Sequence, residues 1–213
     1  MKSTEFIVEG HIRDIAKKYN LPTNLAKLAI SVITDCQPYL HENNNPISTP
    51  LYRGVNTSGL FKQKGKIIKK NVRLDDRIPT DSGTDLHNEL NKAFNDAFGE
   101  PFRNAMFCSG ATTIVEYYGD VYVVFPIGNF KYLWSNDVTD VFQAYDDFNT
   151  GTTVDFVEKL VHCNYRTDNL QAGIKSNNEI MIRCKNYYGI KYEYLNTKTY
   201  WIQALQECIK NEK

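Results

Sequence analysis

The chain has 213 residues, with 25 Lys and Arg against 25 Asp and Glu, so its formal charge is zero. That length suits one large domain, or one domain with an appended subdomain. The zero charge excludes a bulk polyelectrolyte role such as coating DNA, though not a local basic patch, and a hydrophobic content of 42% with 13% aromatic residues excludes wholesale disorder.

In chain order, the first 41 residues read as helical. Ser3 or Thr4 caps a helix carrying Phe6, Ile7, Ile12 and Ile15 on one face, ending near Asn20. Pro22 or Thr23 opens a second helix, with Leu25, Leu28, Ala29, Val32 and Ile33 at helical spacing. The pair reads as an N-terminal helical subdomain, residues 1–45, on a main domain of residues 46–213. Its stripe is read as core, with a partner-binding arm as the alternative. His41–Pro50 is polar and turn-rich and marks the boundary. Leu51–Val55 follows as a short strand. Lys62–Lys70 concentrates five lysines. It reads as a solvated hairpin or loop, or else as a docking surface for a phosphate-bearing or acidic target.

Arg77–Thr84 is a loop that caps a helix over Asp85–Phe98. Phe102–Cys108 leads into a strand. Ala111–Tyr118 looks helical, and Gly119 stops it. Val121–Pro126 is a β-branched and aromatic run that predicts a buried strand. Helices are expected over Asn136–Tyr145 and Thr153–His162. Glu179–Arg183 and Tyr187–Tyr194 pair as strands around Cys184–Asn186, and a helix over Thr199–Ile209 closes the chain. The sum is a mixed α+β fold with no internal repeat.

The five Cys are scattered and form no CxxC pair, so neither a disulfide scaffold nor a cysteine zinc site is expected. The first residues carry no apolar signal core. No run approaches the roughly 18 apolar residues of a membrane span. The expected product is a soluble cytoplasmic protein without a membrane partner. There is no GxxxxGK[ST] loop, no GxGxxG after a strand, no HExxH and no GxSxG elbow. The four His are far apart in sequence, and no metal is expected. Cys163 beside His162 suggests a thiol nucleophile only weakly, since sequence neighbours point to different helix faces.

Three polar positions stand out. Arg53 lies inside the apolar segment LYRGV, where burial demands an anionic partner. Gly54 beside it lets a ligand approach the backbone. The alternative is an Arg in a structural ion pair. Ser109 in MFCSG sits at a strand end before a helix start, suited to bind a sugar or phosphate, or to act as an ordinary helix N-cap. Glu179 opens the apolar strand EIMI and faces either a cleft or solvent.

In this order the three resemble the arginine–serine–glutamate class of mono-ADP-ribosyltransferases. The motifs are Tyr52-Arg53-Gly54, Phe107-Cys108-Ser109 and Ser176-Asn177-Asn178-Glu179-Ile180-Met181-Ile182, within about residues 50 to 195. The segments RIPTDS, GEPFRNAMFCSG and YYGDVYVVFPIGNFKYLWS are also similar to small transferase-like proteins carried by bacterial viruses. The resemblance implies an ADP-ribosyltransferase-like split β-sandwich and a reaction that breaks the nicotinamide–ribose bond of NAD. It implies that Glu179 stabilises positive charge on the ribose and that Arg53 pairs with an NAD phosphate. It also implies that the Gly54 backbone holds the nicotinamide amide, and that Ser109 orients the Arg, the ribose or the Glu. Tyr118 or another aromatic stacks on the nicotinamide. Arg77 and Arg103 are further phosphate binders, or members of surface ion pairs.

Two positions depart from the family pattern. The serine motif here is Ser-Gly-Ala rather than Ser-Thr-Ser. Two residues before Glu179, where arginine-modifying members carry Glu, stands Asn177, which could position an acceptor but cannot serve as a base for a guanidinium. The acceptor class therefore stays open: a protein foremost, with water (an NAD glycohydrolase), nucleic acid or an inactive binding module as alternatives.

Overall fold

The computed structural model describes residue 10 and residues 12–44, 46–56, 65–75, 77, 83–148, 150–196 and 199–211. Residues 12–18 are helical, and Asn20 turns the chain with a positive φ of 48°. The proposed Ser3 or Thr4 cap lies outside the described residues. Helix α1 (Thr23–Asp35) buries Leu25, Ala26, Leu28, Ala29, Val32 and Ile33, the stripe expected from the sequence. Helix α2 (Gln37–Asn43) follows directly and ends at Asn44 in the left-handed region. The expected loop therefore begins about three residues late.

Five antiparallel strands form the sheet: β1 (Tyr52–Val55), β2 (Ile67–Asn71), β3 (Met106–Cys108), β4 (Asp120–Trp134) and β5 (Ile180–Lys191). The order is β1-β4-β5-β2, and β3 pairs with the first half of β5 on the same edge that β2 occupies further along. The fold is α+β, as expected. Part of the lysine run is a strand rather than a loop. Ile68 is buried in β2 and Lys69 is exposed, while Lys70, in phase with Ile68, is half-buried, so the two lysines of the strand point to opposite faces. Lys62 and Lys64 lie outside the described residues.

Two further expectations are corrected. The Val121–Pro126 strand continues to Trp134 through a register shift between Ile127 and Phe130, where Gly128 takes a φ of 67°. A bulge lets a strand bend and resume pairing. The two strands expected around Cys184–Asn186 are one strand, β5. That stretch has no Gly, no Pro and no positive φ, and both halves pair with the same partner, β4. Residues Tyr192–Asn196 form a short helix instead of ending a strand.

On the sheet's second face lie α3 (Thr84–Phe98), α5 (Val141–Phe148) and α6 (Thr153–Val161). Between β3 and β4 run α4 (Thr112–Val115) and a 3-10 turn (Glu116–Tyr118), stopped by Gly119 at φ 123°. Helix α7 (Leu170–Ser176) leads into β5, and α9 (Thr199–Asn211) follows α8 (Tyr192–Asn196). α5 begins later than expected because Asp140 caps it, its Oδ1 accepting from Gln143 N at 2.8 Å.

Side-chain alternation divides the interior. Tyr132, Trp134, Ile180 and Ile182 pack with α1, α2 and α9 in one apolar cluster. Leu133 and Met181, one residue out of phase, pack with α3, α5 and α6 in another. Alternate residues of a strand face opposite sides. That parity determines which strand residues reach the candidate site. Among the described residues no helix is long and apolar enough to cross a membrane.

Candidate functional site

Strand β1 is clamped on both edges near its start. Tyr52 exchanges two backbone hydrogen bonds with Ser109 (2.8 and 3.0 Å), and Val124 N donates to Leu51 O. This brings the end of β3 against β1. Phe107, Glu179 and Met181 lie on the sheet face opposite Met106, Cys108, Ile180 and Ile182, and Arg53 is out of phase with Tyr52 in the same sense. A cavity of about 370 Å³ opens there, and Arg53, Gly54, Tyr118 and Glu179 all line it. That volume lies in the range of small-molecule sites.

Arg53 Nη1 donates to Phe107 O at 3.3 Å, and its guanidinium lies 5.7 Å from the Tyr187 ring centroid. Its Nε is buried without a hydrogen-bond partner. No carboxylate among the described residues pairs with it, so the structural ion-pair alternative has no support. Gly54 is required by proximity. A Cβ there would sit 2.0 Å from Val115 O, so β1 and the α4 turn touch backbone to backbone and set Tyr118 beside Arg53. Tyr118 is 48% exposed at the cavity wall.

Ser109 is fully buried, and it is not among the residues that line the cavity. Its Oγ donates to Asn177 O at 2.7 Å and accepts from Ala111 N at 3.1 Å. It therefore ties the chain two residues before Glu179 to the end of β3. Asn177 ends α7 at φ 63°, with its Oδ1 against Gly110, and it too is not among the lining residues. Three more bonds hold the same loop. Asn178 Nδ2 donates to Ser135 O and Asn136 O, and Glu179 N donates to Thr139 O at 2.7 Å. Ser109→Ala should cost about 1–3 kcal/mol in urea unfolding, because it leaves a buried carbonyl and N–H without their partner. An unchanged unfolding midpoint would count against this tether.

Glu179 Oε1 accepts from Arg103 Nη1 at 3.1 Å, with side-chain exposures of 13% and 10%. Burial pushes the Glu179 carboxyl above its ordinary value, and Asp140 adds to the rise while Arg103 and Arg77 oppose it. Arg77 reaches the cavity from the loop after β2 and donates to Ala105 O. Its guanidinium lies 3.9 Å from the Phe107 centroid, and that of Arg103 4.4 Å. Burial, with Arg53 and Arg103 nearby, lowers Arg77 to about 10. His87 also lines the cavity, its pKa lowered by burial.

Compared with family models, curated proteins and solved structures, the chain finds no match in any of the three.

Arg103 and Arg77 are inside the cavity rather than in surface ion pairs. The apolar neighbours of Arg103 in PFRNAMF are the signal of its burial. Phe107, which stood in the sequence only as part of the serine motif, is the platform under both. Asp140, Phe142 and Tyr145 also line the cavity and were not singled out; Phe142 and Tyr145 lie three apart on α5, 53% and 41% exposed. Cys163, weighed as a nucleophile, donates its thiol to Lys159 O, and burial raises its pKa. Cys36, Cys108, Cys163 and Cys184 are all free thiols. Among the described residues no group of three or more His, Cys, Asp or Glu could hold a metal ion.

Proposed function

We propose that the protein is an NAD-dependent mono-ADP-ribosyltransferase, which cleaves the nicotinamide–ribose bond and passes ADP-ribose to a macromolecular acceptor, foremost a protein. The observation that carries this reading is the shared cavity: Arg53 from β1 and Glu179 from the start of β5 line one space of about 370 Å³ together with Arg77 and Arg103. A dinucleotide needs cations for its pyrophosphate, flat surfaces for its rings and a carboxylate at its ribose. Arg53, Arg77 and Arg103 bring three guanidinium groups against the single Glu179 and Asp140 carboxylates of the same cavity, which supports an anionic ligand. A planar guanidinium suits bidentate phosphate binding. Tyr118 offers a half-exposed ring beside Gly54.

In this reading Glu179 acts on charge. Positive charge gathers on the ribose as the neutral nicotinamide leaves. A fixed carboxylate stabilises that arrangement more than it stabilises the ground state, and this difference lowers the barrier. Ser109 acts through the backbone: it fixes the loop that aims Glu179. The acceptor-positioning role expected of Asn177 finds little support, since its side chain packs against Gly110.

Incubation with labelled NAD and cell lysate tests the proposal. Label on protein supports it. Label on nucleic acid, or only free ADP-ribose, replaces it with one of the two alternative acceptors; no nicotinamide release at all removes it. The pH profile gives a second check. Glu179 must be ionised to act, and burial raises its pKa above the ordinary 4.5. Nicotinamide release should therefore fall as pH drops through a midpoint above 4.5. An acid limb at or below that value would contradict the assignment.

A further inference from the structure

A buried carboxylate tends to take up a proton, which would silence Glu179 in the proposed reaction. The groups facing it come from several elements. Arg103 approaches from the turn before β3, Arg77 from the loop after β2 and Asp140 from the start of α5. Tyr165 and the Cys108 thiol also lie near it, both shifted upward mainly by burial. Of these, Arg103 is the one that bonds the carboxylate, at 3.1 Å, while Arg77 is turned to Ala105 O and the Phe107 ring.

Arg103 is itself held. It is 8% exposed, lies over Phe107 and has Met181 Sδ at 4.0 Å. Its turn is pinned from β5, where Arg183 Nη1 donates to Pro101 O at 3.0 Å and Asn104 O at 2.6 Å, and Nε pairs with Glu100 at 3.0 Å. From α3, Asn91 Oδ1 accepts from Asn104 N at 3.1 Å. The bond to Glu179 uses Oε1, and no described residue donates to Oε2.

We propose that Arg103 is a positioning residue, holding the Glu179 carboxylate charged and turned so that one oxygen is left for a ligand in the cavity. Its catalytic importance rests on the function proposed above; its effect on Glu179 does not. The test therefore has two arms, applied to the wild type, R103Q and R103K. In the first, proton titration of Glu179 is followed by NMR of carboxyl-labelled protein, with E179Q identifying the signal. R103Q should raise the Glu179 midpoint by about one to three pH units, the usual effect of losing a contacting opposite charge. R103K should restore most of it, since it keeps the charge. A midpoint unmoved in R103Q, or equally displaced in R103K, overturns the inference. If R103Q does not fold, R103M, which keeps the apolar stem over Phe107 without the charge, takes its place in the same comparison with wild type and R103K. In the second arm, the acid limb of nicotinamide release should move with the titration. A Glu179 titration that shifts in R103Q, while the wild type releases no nicotinamide, upholds Arg103 as the group positioning Glu179 and removes the transferase reading instead.

Discussion

Glu179→Gln is expected to lower nicotinamide release from NAD by about two to three orders of magnitude while the protein stays folded. That is the usual loss when one preorganised electrostatic group is removed from a reacting centre. The substitution suits this site. Gln keeps the shape of Glu, and its amide oxygen can still accept from Arg103, now 3.1 Å from Oε1. Loop 177–179 keeps its three anchors, since they run through Ser109 Oγ, the Asn178 side chain and the Glu179 backbone N–H. Thermal unfolding and nicotinamide release, measured on the same preparation, separate loss of chemistry from loss of fold. Release equal to the wild type would remove Glu179 from its role. Binding of NAD should change little, because Arg53 and Arg77 remain.

Gly54→Ala is expected to damage both the fold and the site. The added Cβ would lie 2.0 Å from Val115 O and 2.8 Å from Tyr118 Cβ. The nearest atom is backbone, so no side chain can swing away, and β1 must part from the α4 turn. Overpacking of this kind costs about 3 kcal/mol at the upper end of the usual range. The same movement separates Arg53 from Tyr118, which line the cavity on either side of the contact. Urea unfolding should show a lowered midpoint, and calorimetry should show loss of NAD binding. Gly151→Ala is the control, since a Cβ at Gly151 meets nothing within 4 Å. If the two variants were equally stable, the close approach of strand and turn would be refuted.

Much of this site was readable from strand periodicity and local chemistry. An Arg in an apolar segment, a Gly after it and a Glu at the head of a buried strand are costly placements that ask for a purpose. The α1 stripe, the Gly119 stop and the β1 and β3 strands also follow from residues within a few positions of each other. Errors came where the deciding partner is remote. Cys184–Asn186 reads as a break between two strands, yet β4 pairs with residues on both sides of it and resumes across the bulge. Helix α7 was missed because its signals are weak locally: an Asn169 cap, whose Oδ1 accepts from Ala172 N, and a Gly at position 173. What settles it is Trp134, whose indole would be 2.8 Å from any Cβ at Gly173.

By itself, then, the sequence determined which residues are expensive to bury and, through two-residue alternation, which strand positions share a face. The tertiary structure alone decided what each buried polar group meets. From the sequence Ser109 could bind a ligand, cap a helix or orient Arg53 or Glu179; in the fold it is a tether to Asn177. Arg103 was one of two spare cations and is the partner of Glu179. Hydrogen bonds and ion pairs act over about 3 Å, whereas local sequence constrains backbone direction over only a few residues. The pairing of groups 76 positions apart is therefore a property of the packed chain.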